Sequence, residues 1–342
     1  MKKLGIGLAG VGRMGRIHAV DLVSRCARAG LACVYDADGE RAAALAAQLD
    51  VPVAASFDEL LERSEAVAIA TPTGTHAELS VAAARAGKPV FCEKPVSLDR
   101  ATTVATIEAV EAAGVVFQVG FHRRFDPDWV AAAERIAAGE LGEVTLFRTS
   151  LRDMNPPDPA YLAGSGGFFV DVTVHDLDVA RWLVGEVVEV SAHGAASDPA
   201  FGQLGDIDTA VVVLRFANGA LGVIDNSRGA RYGYECSTEV MGTLATARID
   251  NPHRRGLEWR TPGVAARDLV HDFEERYPYA YAAELDAFAD CVRTGTPPRV
   301  TGRDALAAFD LAVAADESWR TGRPVTIGAQ PITTVLPAGG MR

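Results

Sequence analysis

Two side chains near the middle of the sequence have the types and spacing of an acid–base pair. Asp171 and His175 stand four residues apart in a segment with helical periodicity, so a helix would place both on one face. A histidine that titrates near neutrality can accept the proton of an alcohol, and a neighbouring carboxylate can orient the imidazole. By itself the spacing favours an intrahelical surface pair of small energetic value, so catalysis needs further support.

A metal site in the same segment would use Asp171, His175, Asp176 and Asp178. No further His or Cys lies nearby at the spacing of metal ligands, so we expect no metal. The five cysteines are scattered and include no Cys-x-x-Cys pair, which argues against structural zinc and a disulfide framework.

A glycine motif near the N terminus points to a dinucleotide. It follows an apolar run and reads Gly10-Val11-Gly12-Arg13-Met14-Gly15. Gly10 would permit a tight turn, Gly12 the approach of a pyrophosphate, and Gly15 close packing of the next helix, whose first amides would face the phosphates. The motif alone is weak evidence, and a similar turn occurs in domains that bind no nucleotide.

Asp36 strengthens the dinucleotide hypothesis. It ends the next apolar run, about 20 residues beyond the last glycine, where an acid accepts hydrogen bonds from the ribose hydroxyls. A carboxylate at this position repels a 2′-phosphate, so we expect NAD rather than NADP. Arg41 lies on the following helix and is interpreted as a solvated residue of its exposed face.

Lys94 follows the apolar run that ends at Cys92, at the end of a predicted parallel strand, where ligands of such domains bind. Its ammonium group could bind the reacting oxygen and stabilise developing alkoxide charge. A solvated lysine is the alternative, and only Pro95, which restricts the backbone of the residue before it, argues locally against this.

These segments together resemble the Gfo/Idh/MocA family of sugar and cyclitol oxidoreductases. The resemblance rests on the glycine motif, residues 71–76 (Thr-Pro-Thr-Gly-Thr-His), Glu93-Lys94-Pro95 and residues 171–176. It continues through residues 118–126, 226–228, 232–234 and 282–285, and so spans nearly the whole chain. Within the family the likeness is closest to inositol 2-dehydrogenases, through Arg152-Asp153, residues 165–169 and the Asp-x-x-x-His pattern.

The resemblance implies that Lys94, Asp171 and His175 are catalytic. The cofactor contacts it implies, beside the glycine motif and Asp36, are Thr71, Pro72, His76, Glu93 and Lys94. The substrate contacts it implies are Lys94, Arg123, Asp153, Asp171, His175 and Tyr234.

Alternatives remain for several of these residues. Packing at a helix N terminus is the more frequent role of a residue like His76. Arg123 could instead form an ion pair, as could Arg124, with nearby aspartates. Tyr232 and Tyr234, two apart on an expected strand, would face the same side and could be core or inter-subunit aromatics. Some inositol dehydrogenases have His near the position of Asp153, which leaves the substrate stereochemistry open.

The pattern of the first third positions these residues. Short apolar runs at 4–9, 31–35, 66–70, 89–92 and 115–119 alternate with helical segments. The first of these segments is expected to be an amphipathic helix with Ile17, Val20 and Val23 on its apolar face. Strands alternating with helices imply a doubly wound parallel sheet, here a Rossmann domain over residues 1–121. Consecutive strands between 187 and 250 predict a largely antiparallel open sheet in a second α/β domain, residues 122–330, before a tail, 331–342.

Composition restricts the partners. The 342 residues carry a net charge of −12, which argues against nucleic acid and anionic membranes. No apolar stretch is long enough to span a bilayer or to form a secretory signal, so we expect a cytoplasmic protein. The resemblance adds a homo-oligomer, frequently a tetramer packed through the open sheets.

The sequence therefore predicts NAD-dependent oxidation of a secondary hydroxyl of a cyclitol, most specifically myo-inositol at C2, with His175 as general base. A pyranose sugar or another inositol isomer is the alternative substrate. A non-catalytic nucleotide-binding regulator is a further alternative, but it would not need Lys94, Asp171 and His175 together.

Overall fold

The computed structural model describes residues 2–328, which divide into two compact units. The first comprises the chain through Asp126 and the segment Tyr279–Ala307, and the second comprises Pro127–Pro278 and the described chain from Ala308 onward. These units are defined by packing. The sequence-based boundaries assign residues 279–307 to the second domain and stay a prediction, and the predicted tail, 331–342, lies outside the described residues.

Strands and helices alternate in the N-terminal part of the first unit. In chain order they are β1 (Leu4–Ala9), α1 (Arg13–Ser24), β2 (Ala29–Tyr35), α2 (Gly39–Leu49), α3 (Phe57–Arg63), β3 (Ala66–Ile69), α4 (His76–Arg85), β4 (Val90–Glu93), α5 (Arg100–Ala113) and β5 (Phe117–Gly120).

The five strands form a parallel sheet in the order β2-β1-β3-β4-β5. A single parallel bridge between Val34 and Val53 lies beside β2, and counting it as an edge strand gives the six-strand order of a Rossmann fold. The strand order reverses between β1 and β3, so a ligand crevice is expected beyond the carboxyl ends of these strands. The doubly wound parallel sheet predicted from the sequence is confirmed.

The second unit is rich in strands. Its elements are α6 (Pro127–Ala137), β6 (Val144–Arg152), α7 (Pro159–Leu162), α8 (Val174–Val184), β7 (Val187–Ala195), α9 (Pro199–Gln203), β8 (Thr209–Phe216), β9 (Leu221–Ser227), β10 (Glu235–Gly242), β11 (Thr246–Ile249), β12 (His253–Thr261), β13 (Val264–Leu269) and α10 (Phe273–Arg276). Three elements close the described chain, namely α11 (Ala280–Thr294), α12 (Gly302–Thr321) and β14 (Val325–Thr326).

Seven strands of the second unit form one sheet in the order β11-β10-β6-β9-β8-β7-β14. Every neighbouring pair is antiparallel except β6 and β9, which confirms the largely antiparallel sheet. Side chains alternate along the strands, so that Phe147, Val212 and Ile224 are buried on one face while Val211 and Val213 are exposed on the other. Strands β12 and β13 form a separate two-stranded sheet.

The core of the first unit joins residues that are distant in sequence. Ile6, Leu8 and Phe91 are fully buried in the sheet, and Leu285 and Phe288 of α11 belong to the same hydrophobic cluster. None of the helices in residues 2–328 combines the length and apolar character required to cross a membrane.

The buried face of α1 differs from the predicted one. Val23, expected on an apolar face with Ile17 and Val20, is 41% exposed, and those two are only partly buried. The helix instead buries Gly15, His18, Ala19, Asp21 and Leu22. The prediction was wrong because it assumed that only apolar side chains turn inward, whereas His18 binds the buried Glu93 and Asp21 accepts a hydrogen bond from the half-exposed Arg25.

Replacing Leu285 by Ala tests the place of α11 in the first unit. Since Leu285 is fully buried, the variant should lose about 2–5 kcal/mol of unfolding free energy, measured by denaturant unfolding. Leu244→Ala is the control, because Leu244 is 78% exposed and its truncation should change stability by less than about 0.5 kcal/mol. Equal effects of the two substitutions would contradict the packing of α11.

Candidate active site

The glycine turn after β1 brings the chain very close to itself. Gly10 has φ +88°, and a Cβ atom there would lie 2.5 Å from the carbonyl oxygen of Ala70. A Cβ atom at Gly15 would overlap the carbonyl oxygen of Gly10. Both positions therefore require glycine, which is what the motif predicts for the turn and for helix packing.

Gly12 fits a bound dinucleotide for a different reason. It caps the N terminus of α1 without a side-chain hydrogen bond, and a Cβ atom there would meet nothing within 4 Å. This open backbone leaves a phosphate free to approach the first amides of α1. Arg13 is exposed and Met14 partly buried in the same turn, and their contacts with the cofactor stay a prediction.

The carboxylate of Asp36 is fixed beside this turn. Its Oδ2 accepts the N–H of Val11 at 2.8 Å, and its Oδ1 accepts the N–H of Asp38 at 2.9 Å. Arg41 is exposed, as expected, and its guanidinium also lies 3.9 Å from Asp36 and 3.1 Å from Asp38. Asp36 is thus an acceptor held at the end of β2, as a ribose site needs.

His76 ties together the loops that follow β3 and β4. Its side chain is buried, with Nε2 2.7 Å from the carbonyl oxygen of Thr71 and Nδ1 2.8 Å from that of Pro95. Two carbonyl partners require both ring nitrogens to donate, which only the charged imidazole can do. Burial opposes this charge, but Cys92 and the two carbonyl groups outweigh it and raise the pKa of His76 to about 9. These contacts give His76 a structural role behind Thr71 and Pro72.

Glu93 and Lys94 occupy the carboxyl end of β4. Glu93 is buried, with Oε1 2.6 Å from His18 Nε2 and Oε2 accepting the backbone N–H of Lys94 at 3.3 Å. Lys94 itself is partly buried and follows the strand directly. The carboxylate of Glu93 therefore points inward, and it is Lys94 that lies at the ligand-binding edge of the sheet.

Arg123 is also on the first unit. It lies in a 3₁₀ turn, His122–Phe125, directly beyond β5, and only 2% of its surface is exposed. Its neighbour Arg124 lies 3.4 Å from Asp304. The structure thus places Arg123 at the same edge of the sheet as Lys94 and gives Arg124 a structural ion pair.

The second unit holds Asp171 and His175. Asp171 lies in a π-helical turn, Phe169–Thr173, and His175 in the first turn of α8 that continues it. Such wider turns are frequent at functional sites. Arg228 Nη2 donates to Asp171 Oδ2 at 2.5 Å, and the Tyr161 hydroxyl donates to Oδ1 at 2.8 Å. The carboxylate is therefore held as an anion by a guanidinium that is itself 1% exposed.

The role of Arg228 was missed from the sequence. Its place in the Asn226-Ser227-Arg228 segment beyond β9 was a signal, but no pattern connected it to Asp171. Asp176, considered as a metal ligand, is fully buried and accepts hydrogen bonds from Thr149 at 3.2 Å and Asn226 at 2.8 Å. The carboxylate of Asp176 therefore has a structural role in the interior of the second unit.

Two predicted substrate contacts lie in loops beside β10 and β6. Asp153 bonds through its backbone to Ser227 and Ala230, at 2.8 and 2.9 Å. Tyr232 and Tyr234 do not share one side of a strand, since they are 54% and 3% exposed and precede β10. That prediction was wrong because Gly233, with φ +148°, breaks the alternation between them.

Comparison with known proteins identifies a family for most of the chain. Family models described as "Oxidoreductase family, NAD-binding Rossmann fold" and "Oxidoreductase family, C-terminal alpha/beta domain" match residues 4–121 and 133–327. The chain belongs to the Gfo/Idh/MocA oxidoreductase family. As a Gfo/Idh/MocA protein it is an oxidoreductase, and its Rossmann domain uses NAD, as predicted.

The relatives of this Gfo/Idh/MocA protein include inositol dehydrogenases. It is 40% identical to a myo-inositol 2-dehydrogenase of Thermotoga maritima over 94% of this chain and 98% of that one. It is 38% identical to a scyllo-inositol 2-dehydrogenase (NAD(+)) of Bacillus subtilis, over 93% and 94% of the two chains. The crystal structure of a putative myo-inositol dehydrogenase of Sinorhizobium meliloti superposes with a TM-score of 0.92 at 38% identity, covering 95% of this chain and all of that one.

Substituting Asp36 tests its part in cofactor choice. Asp36→Ser should weaken the preference for NAD over NADP by about 1–3 kcal/mol, because a charged acceptor for the ribose hydroxyls is lost. The measurement is the ratio of kcat/KM values for the two cofactors. Asp38→Ser is the control, since Ser can still cap α2 as Asp38 does. In this variant the ratio of kcat/KM for NAD to that for NADP should not change. A wild-type preference for NADP would contradict this assignment.

Proposed function

We propose that this protein oxidises a secondary hydroxyl of a cyclitol with NAD, most specifically myo-inositol at C2, giving the corresponding inosose. The observation that carries the proposal is near-full-length similarity to inositol 2-dehydrogenases, with Lys94, Asp171 and His175 all in place. An oxidoreductase that acts on an uncharged polyol needs hydrogen-bonding side chains and one base rather than a cationic pocket.

We assign the chemistry to these three residues. His175 takes the proton of the hydroxyl group, and bound NAD supplies the acceptor for the hydride from the same carbon. Asp171 favours the charged form of His175 after proton transfer, and its own charge is maintained by Arg228. Lys94 binds the reacting oxygen and stabilises the negative charge that develops as the proton leaves. Arg123, Asp153 and Tyr234 complete the proposed substrate contacts.

The inositol isomer that the protein oxidises has two candidates. Similarity to a scyllo-inositol 2-dehydrogenase is almost as high as to a myo-inositol 2-dehydrogenase, so scyllo-inositol is the second candidate substrate. The two differ only in the orientation of one hydroxyl group, which hydrogen-bonding residues such as Asp153 would distinguish.

We further propose a cytoplasmic homotetramer that packs through the open face of the seven-stranded sheet. Val211, Val213, Leu221 and Met241 are each at least 40% exposed on that face, which is the character of an association surface. The five cysteines all lie in the described part of the chain and form no disulfide there, as expected in a reducing compartment. Light scattering would measure the assembly directly.

Turnover assays test the reaction and the role of Lys94. Wild-type protein should form NADH with one or more inositol isomers and far more slowly with aldoses. Lys94→Ala should nearly abolish this turnover, yet NAD affinity should stay within about threefold, because the backbone of the glycine turn is untouched. Lys88→Ala is the matched control, since Lys88 binds the carbonyl oxygen of Ser64 instead. Wild-type kcat in Lys94→Ala would overturn the role of Lys94.

The pH dependence tests His175 as the base. In the wild type, kcat/KM for oxidation should rise with pH as the base loses its proton. His175→Ala should lower the oxidation rate roughly 10²–10⁴-fold and remove the rise of kcat/KM with pH. His253→Ala, at an exposed histidine of β12, should change neither the rate nor the pH dependence. Asp171→Asn should also slow oxidation while NAD binding persists. A His175→Ala variant that kept the rate and the profile would place the base elsewhere.

A further inference from the structure

Three ionisable side chains meet inside the first unit, directly behind Lys94. His18 of α1, Glu93 of β4 and Glu284 of α11, hereafter the buried triad, offer atoms that all lie within 4.8 Å of one another. Their exposures are 0%, 7% and 0%. The reaction described above uses none of them, and such a cluster is costly to bury unless its charges are balanced.

Only one contact in the buried triad is a hydrogen bond. The Nε2–H of His18 donates to Glu93 Oε1 at 2.6 Å, and the rings of Phe91 and Tyr281 pack edge-on against the imidazole. Neither carboxyl oxygen of Glu284 has a hydrogen-bond partner among the described residues. A buried carboxylate in that situation would be an uncompensated charge beside a second carboxylate, so one of the two acids keeps its proton.

Glu284 is the acid that keeps the proton. Glu93 has an imidazole at hydrogen-bonding distance, whereas the other charges that reach Glu284 come from Glu93 and from Asp21, which is paired with Arg25. Burial, followed by repulsion from these two acids, raises the pKa of Glu284 well above its usual value. The buried triad then contains one carboxylate facing the imidazole and one neutral acid.

We propose that the buried triad positions Lys94, with Glu93 as the direct link and with His18 holding the carboxyl group of Glu93 in place. The inference rests on the proposed function in one respect, namely that Lys94 takes part in the reaction. Glu93 connects the buried triad to Lys94, because one of its carboxyl oxygens binds His18 and the other accepts the N–H of Lys94.

The neighbouring strand confirms how closely Glu93 is confined. A Cβ atom at Gly120 would lie 3.2 Å from all three atoms of the Glu93 carboxyl group, a distance at which the carboxyl group would have to move. The end of β5 therefore restricts the carboxyl group of Glu93 from that side. Any shift of Glu93 is transmitted to the backbone of Lys94 through their hydrogen bond.

Kinetics of two substitutions test the positioning role. Glu93→Gln removes the charge while keeping the shape, and Gly120→Ala displaces the carboxyl group while keeping its charge. Both should lower kcat about 10–100-fold, the effect of misplacing a catalytic group by a fraction of an ångström to about one. The Kd for NAD should stay within about threefold, because the carboxyl group of Glu93 is buried against His18 and does not face the cofactor edge, although the resemblance implied a cofactor contact for Glu93.

A control separates positioning from general destabilisation. Asp286 lies on α11 as Glu284 does and accepts the N–H groups of Ala27, Arg28 and Ala29. Asp286→Asn should lower the thermal midpoint but leave kcat within about twofold. Equal losses of kcat in Asp286→Asn and Glu93→Gln would overturn the proposal, as would a Glu93→Gln variant that loses NAD affinity rather than kcat.

The proton on Glu284 is tested without any assay of activity. Since its folded-state pKa is raised, the wild type has the full stabilising contribution of Glu284 below the usual pKa and loses it as pH rises toward the raised value. Glutamine mimics the protonated acid and does not titrate. The thermal midpoint of Glu284→Gln relative to wild type should therefore rise between about pH 5 and about pH 8.

The two measurements fail in different ways. If the difference in thermal midpoint between Glu284→Gln and wild type did not change with pH, the inference that Glu284 is protonated would be wrong. If the wild type oxidised no polyol, the proposed function would fail while the stability measurement still judged the protonation of the buried triad. If the wild type were active and Lys94→Ala inactive, but Glu93→Gln and Gly120→Ala kept full kcat, the positioning role alone would be wrong.

Discussion

The contact between Gly15 and the carbonyl group of Gly10 is the constraint on which the first unit depends. Because no side chain separates them, α1 starts immediately beside the turn that follows β1. One consequence is an exposed helix N terminus at Gly12, next to the carboxylate of Asp36. Another is that His18, one turn further on, reaches Glu93 at the end of β4. The same close approach thus serves both the cofactor edge of the sheet and the polar cluster behind it.

Local signals in the sequence predicted the parts of the site that depend on local geometry. Gly10, Gly15 and Asp36 have fixed spacing relative to β1 and β2, so their positions followed once the strands were recognised. The parallel and antiparallel sheets followed from the alternation of strands and helices, or its absence. Even α3, which was not predicted, has a local signal, since Ser56 caps it and Glu59 stands three residues later.

Contacts between distant segments were beyond such reasoning. Arg228 pairs with Asp171 across 57 positions, and Glu284 joins His18 from the other end of the chain. Arg228 and Glu284 are ionisable residues, a type that is usually found at the surface, and only the packing of the folded chain shows that they are buried. The inward face of α1 was mispredicted for the same reason. A histidine is normally assigned to the exposed face of a helix, and the sequence does not reveal the carboxylate partner that allows His18 to be buried. Buried polar pairs are therefore the features that a single sequence conceals most effectively.

The parallel pairing of β6 with β9 has a consequence for how the chain is made. Leu146 pairs with Leu221 and Thr149 with Thr238, so both neighbours of β6 are synthesised long after it. In contrast, β8 and β9 are joined by a short turn at Asn218-Gly219 and can pair as soon as they emerge. Strand β6 therefore waits for partners that are made much later in the chain, a non-local order that slows folding. Until β10 leaves the ribosome, β6 keeps an unpaired edge, the state in which a nascent chain most needs protection from aggregation.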